Sequence, residues 1–235
     1  MIGIGLMLST ALAEAPIHRT VPRGLPAIRI EAGQAEVFVR SATGAERSAV
    51  ILTPQRWGSK CSVTYGGDRS EAVVQIQKDG ASRALGCKTN IELIMAGDTA
   101  ITLEMGMGDI HLWPVDGAVT VSMTSGTVEG EIGAMGATIA AEQAHVRLWG
   151  LRSPVDAQVK VGAIDLRYVE PLRGETVARN DLGPITVQIP EPAFVEATTK
   201  MGQLVNRMPA PDPGSAAGTL ALSTRVGRIE VAQSQ

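Results

Sequence analysis

The small residues Gly108, Gly126, Ala144 and Gly162 recur at a strict spacing of 18, and each opens a small-x-apolar-x-apolar stretch. Comparable units follow at Gly183, Gly202 and Gly227, giving at least seven copies of one short element. A fixed period of this length marks a repeat architecture, in which each unit buries its apolar side only against its neighbours. The chain is therefore expected to stack on itself rather than close into a globule.

Because a strand sends alternate side chains to opposite faces, the repeat can be tested column by column. Seven residues before the small position stand Ile101, Val119, Ala137, Val155, Thr176, Val195 and Leu220, and five before it Leu103, Val121, Ile139, Ala157, Ala178, Ala197 and Leu222. Two after it come Ile110, Val128, Val146, Ile164, Ile185, Leu204 and Ile229, and four after it Leu112, Gly130, Leu148, Leu166, Val187, Asn206 and Val231. Only Gly130 and Asn206 break these inward columns. The pattern predicts an all-β fold: a single-stranded, parallel β-solenoid (β-helix) of about seven or more coils, each a strand, a turn at the small residue and a second strand. Right-handedness follows from the general preference of parallel crossovers. Low aromatic content, 3%, suits a narrow interior filled by Val, Ile, Leu and Ala.

The outward columns support parallel stacking in this register, since opposite charges across adjacent strands stabilise by roughly 0.2–1 kcal/mol and like charges destabilise. Three residues after the small position the series runs His111, Glu129, Arg147, Asp165; two before it, Glu142, Lys160, Asp181, Lys200. Both alternate in sign, except that Lys200 would be followed by Arg225.

Residues 1–13 form an apolar run ending Ala11-Leu12-Ala13, which matches a signal peptide although it carries no Lys or Arg. The run is too short to span a bilayer stably, and no Cys follows it to carry a lipid. The mature chain is expected to be exported, periplasmic or extracellular. Cys61 and Cys87, the only two cysteines, are then most simply a disulfide, adding about 3–4 kcal/mol by restricting the unfolded chain. Neither has a Cys or His at ligand spacing, so no metal site is expected. Residues 27–98 alternate less regularly and are expected to form an N-terminal β cap, with turns at Gly66-Gly67-Asp68 and Asp79-Gly80; the regular coils occupy 99–232, with a proline-rich loop, 208–218, inserted before the last.

The units Met105-Gly-Met-Gly108-Asp-Ile-His-Leu, Thr124-Ser-Gly126-Thr-Val-Glu-Gly, Lys160-Val-Gly162-Ala-Ile-Asp-Leu and Lys200-Met-Gly202-Gln-Leu resemble the repeat of the bacterial putative-adhesin family of β-strand-repeat proteins, over about residues 27–232. The Gly-Asp form of that motif is kept only at Gly108-Asp109. The resemblance implies a β-solenoid exported to the cell envelope, with no catalytic residues to carry over.

Net charge is −3 with no basic cluster among aromatics, which argues against nucleic acid as a partner. Nucleophile elbows, phosphate loops and His-Glu-x-x-His are absent, the three His are scattered, and no cofactor is expected. A carbohydrate-active β-helix, a lyase or hydrolase, is the enzymatic alternative, with Asp109, Glu129 and Asp165 as its candidates. Arg147 stands between Glu129 and Asp165, so no acid–base pair assembles there. For binding, Trp113, Glu131, Trp149 and Arg167 share an outward column that puts two Trp two coils apart, with Arg167 near Trp149. Exposed aromatics of this kind suit an envelope polysaccharide or protein. A third possibility is a structural module stacking end to end through its open coil edges.

Overall fold

The computed structural model describes residues 15–22, 24–57, 60–78, 81–82, 86–133, 135–212 and 217–234. The expected signal peptide, residues 1–13, and the Asp79-Gly80 turn lie outside the described residues. Among the described residues seventeen strands join in one mostly parallel sheet, and no helix occurs. None is therefore long and apolar enough to cross a membrane.

The repeat period becomes a hydrogen-bonding register. Strands β8 (Ala100–Val115), β9 (Val119–Ile132), β10 (Ala137–Leu151) and β11 (Val155–Tyr168) pair in parallel, each with the next, so that Ile110, Val128, Val146 and Ile164 lie opposite one another. All four are fully buried, and the spine continues through Ile185 and Ile229. Most members of the inward columns before and after the small residue belong to one continuous apolar cluster; Thr176 is buried but polar, and Leu204, expected inward, is exposed, as is Asn206. Each pass of the chain is thus one level of a stack, held by backbone hydrogen bonds along its edges and apolar contact inside.

The small residue is not a turn between two strands in these levels, as its composition suggested. Strands β8 to β11 run unbroken through it and bend there, and the inward phase flips, Met105 being buried on one side of Gly108 and Ile110 on the other. Ala144 fills this position in β10 and is buried; at the glycines of the neighbouring levels there are two reasons against a side chain. At Gly126 φ is 141°, a conformation L side chains rarely adopt, and a Cβ would overlap the carbonyl oxygen of Gly108 on the level before. The levels that follow do break at this point, into β12 (Glu175–Leu182) with β13 (Ile185–Ile189), β14 (Phe194–Met201) with β15 (Leu204–Asn206), and β16 (Thr219–Val226) with β17 (Ile229–Gln233).

A third inward column, three residues before the small position, lines the inside of the bend. It is apolar in the early levels, where Met105, Met123, Ala141 and Val159 are buried, and polar in the later ones. There Asn180 Nδ2 donates to Gly162 O (2.9 Å), Thr224 Oγ1 to Gly183 O (3.3 Å) and Thr199 Oγ1 to Gly227 O (3.3 Å). These side chains satisfy carbonyls that the bend takes out of the regular ladder.

Stacking does not follow chain order at either end. Strand β2 (Ala27–Ser41), within the segment expected as a cap, pairs along its length with β8, while its other edge takes β5 (Glu71–Lys78) and β7 (Lys88–Met95). At the opposite end β16 and β17 sit between β12–β13 and β14–β15, pairing with both. The segment 207–218 therefore returns the chain to a slot inside the stack, where sequential stacking had been expected.

Beyond β5 and β7 the pairing turns antiparallel. Strand β3 (Ala49–Arg56) covers β7, β1 (Ile17–Thr20) covers β3, and β4 (Cys61–Gly67) and β6 (Ala81–Ser82) pair with β5. The β4–β5 hairpin turns through residues 68–70, with Asp68 N donating to Glu71 O; of the expected turn Gly66-Gly67-Asp68, the two glycines are still paired strand residues of β4. Cys61 and Cys87 are joined as a disulfide with Cα atoms 5.8 Å apart.

Candidate functional site

The outward columns turn sequence spacing into fixed rows of side chains. In one row Phe38 stacks on the His111 ring at 4.8 Å, and His111 Nδ1 lies 3.2 Å from Glu129 Oε1. Arg147 is opposite Glu129 on one side and Asp165 on the other, with its Nε 3.8 Å from Asp165 Oδ2. Asp109 accepts a hydrogen bond from Thr127 Oγ1. The three carboxylates considered for catalysis are thus each engaged by a different neighbour, and the structure does not bring Asp109, Glu129 and Asp165 together around one site. Among the described residues, no group of three or more His, Cys, Asp or Glu is placed to hold a metal ion.

The two tryptophans lie two levels apart. Trp113, opposite Arg40, is 52% exposed and packs its ring 5.9 Å from Phe38; Trp149, opposite Glu131, is half-buried. Both sit where the strand gains one residue over the next, Leu112–Val115 against Gly130–Ile132 and Leu148–Leu151 against Leu166–Tyr168. Such bulges re-aim side chains, and the Trp113-Pro114 and Trp149-Gly150 pairs mark them in the sequence. The Arg167 guanidinium is directed to Asp165, Nη2 to Oδ2 at 3.0 Å.

Sequence reasoning missed a second feature. On the solvent side of the bend, a groove of about 690 Å³ crosses the levels from β9 to β14. Its floor is the bend column, Ala141 and Val159 passing to Asn180, Thr224 and Thr199; its walls are the columns four and two residues before the small position. One wall carries Ser122, Gln158, Arg179, Ser223 and Thr198, the other Glu142, Lys160, Asp181, Arg225 and Lys200. Lys160 Nζ donates to Glu142 Oε1 at 2.7 Å, and this bond, with the nearby charge of Asp181, raises the lysine above its ordinary pKa. The alternating column was legible; that it borders a concavity depends on the bend, which composition does not disclose.

No family model matches the chain, and no curated protein matches its sequence. Solved structures to which the chain is similar include a putative adhesin from Bacteroides fragilis, at 13% identity and TM-score 0.44 over 93% of this chain and 98% of that one. Another is a putative cell adhesion protein from Clostridium sporogenes, at 13% identity and TM-score 0.36 over 94% and 99%.

Proposed function

We propose that this chain is an exported, right-handed β-solenoid of the bacterial cell envelope that acts as a non-catalytic, adhesin-like interaction scaffold. The observation that carries the reading is the in-register parallel ladder from β2 to β11, continued through β12–β13 and β16–β17 to β14–β15. Such a ladder consumes its apolar residues internally and presents the remainder as rigid rows, a geometry suited to gripping an extended partner. The hand rests on the preference for right-handed parallel crossovers. The Cys61–Cys87 bridge supports an oxidising compartment. Trp113 and Trp149, with Arg167 on the level after Trp149, are the proposed contacts for an envelope polysaccharide or protein.

Retention of the purified chain on isolated cell envelopes tests this reading. Trp113→Ala combined with Trp149→Ala is expected to weaken retention at an unchanged melting temperature; undiminished retention removes the tryptophans from the role, and no retention of the wild-type chain removes the scaffold reading. End-to-end assembly is favoured by one observation, the open edge of β14–β15, which exposes Phe194, Met201 and Leu204. Concentration-dependent mass in light scattering would identify it.

A further inference from the structure

We infer that the groove along the bend binds an acidic polysaccharide, whose anionic groups are held at the C-terminal end of the groove by Arg179, Arg225 and Lys200. The inference rests on the scaffold reading above and assigns it a place and a ligand class. It starts from a charge arrangement that folding alone does not favour. In the column two residues before the small position, Glu142 stands opposite Lys160 and binds it at 2.7 Å. Asn180 of β12 and Thr199 of β14 both lie opposite Thr224 of β16, so one residue further on Arg225 lies between Asp181 and Lys200. Arg225 and Lys200 are therefore like charges on adjacent strands, separated by one strand spacing of about 4.8 Å, a destabilising arrangement.

Arg179 adds a third positive charge from the opposite wall. It pairs in register with Ser223, which places it diagonally across from Arg225, about 7–8 Å away at the level of the backbone. Among the described residues none of these three has an ion-pair partner, and all are exposed. Three cations against one carboxylate, that of Asp181 opposite Arg225, leave this end of the concavity net positive and suited to an anion.

The remaining surface indicates what carries that anion. On the wall that carries Arg179, the hydroxyls of Ser223 and Thr198 follow it on one side and the amide of Gln158 lies on the other; these suit a chain rich in hydroxyl groups. The floor beneath is rigid, because Asn180, Thr224 and Thr199 are bound to backbone carbonyls. The groove crosses the levels and so repeats every strand spacing, close to the advance of one sugar along an extended glycan. It contains no aromatic ring, so a neutral sugar finds no stacking platform and charge must supply the selectivity.

Binding to immobilised polygalacturonate, with dextran and poly-L-glutamate as controls, tests the inference. Polygalacturonate is expected to bind, with affinity falling as salt rises, and dextran to be ignored. Arg225→Ser with Lys200→Ser should weaken binding at least tenfold at a melting temperature that does not fall, and Arg179→Ser less. The Trp113→Ala, Trp149→Ala variant should bind polygalacturonate like the wild type. Equal binding of dextran or poly-L-glutamate, or unchanged binding by the Arg225, Lys200 variant, overturns the inference. If that variant still adheres to cell envelopes as the wild type does, the groove inference falls while the scaffold reading stands; if wild type binds polygalacturonate through the groove yet ignores envelopes, the reverse holds.

Discussion

The two ends of the stack share a construction and differ in how they stop. At both, a level lies out of chain order between two others, β2 between β8 and β5–β7, and β16–β17 between β12–β13 and β14–β15. The N-terminal end then goes antiparallel and is covered: Trp57 Nε1 donates to the buried Thr89 Oγ1 at 2.8 Å, Arg19 lies 4.9 Å over the Tyr65 ring, and the disulfide ties β4 to the segment leading into β7. The C-terminal end has no such cover among the described residues. Among the described residues β14 pairs with β16 alone, and Phe194, Met201 and Leu204 are 43%, 66% and 48% exposed. A slotted level fixes the order of a stack, whereas only a change of strand direction closes its edge to further pairing.

The largest effect that can break this comparison is removal of residues 213–235. Without β16 and β17, β14–β15 loses every strand that it pairs with, so limited proteolysis should degrade the region after residue 189 and leave 24–170 protected; protection of 194–206 would show that the slot is dispensable. Next comes the bend. Gly108→Ala would press a Cβ onto the Ala35 carbonyl of the slotted β2 and is expected to destabilise by about 3 kcal/mol or more in chemical denaturation. Gly202→Ala meets Gly227 in the same way, but on an edge level that can open locally, so it should affect hydrogen exchange of 194–206 more than global stability.

Replacing Cys61 and Cys87 together by Ala should cost about 3 kcal/mol, or about 6–12 °C in melting temperature for a chain of this size. A much smaller fall would mean that the antiparallel strands close the N-terminal end without help. Phe194→Ser, Met201→Ser and Leu204→Ser together should leave melting unchanged and abolish any concentration-dependent mass. Smallest is a titration at the covered end. Bidentate hydrogen bonds from Arg40, at 2.7 Å each, hold the Glu46 carboxyl at about 2, below its ordinary value. Its contribution is present above the normal carboxylate range and is lost as pH falls through about 2; carbon NMR should show this, and Arg40→Gln should return Glu46 to the ordinary range.

Much of this was legible in the sequence because a stack of identical levels writes its register as a period. The spine from Ile110 to Ile164 and the charge column from Glu142 to Asp181 could be read directly. The slotted ends could not, since pairing partners 44 and 25 residues apart leave no trace in local alternation. The break in charge alternation at Lys200 and Arg225 was visible, but its meaning needed the bend that places both on a groove wall. The glycines misled in one respect: they allow a close approach between levels inside a continuous strand, and composition alone does not separate that from a tight turn.

The position of β16 and β17 also bears on how the molecule is made. A chain emerging N-terminus first completes Phe194–Asn206 before Thr219–Gln233 exists, yet among the described residues the strand partners of the earlier segment are the later ones. Growth by simple accretion, one layer after another, must therefore pause after β13, and the last two layers arrive as a pair. Assembly at that end is a docking event rather than a continuation, which makes it the natural place for the slow step in maturation.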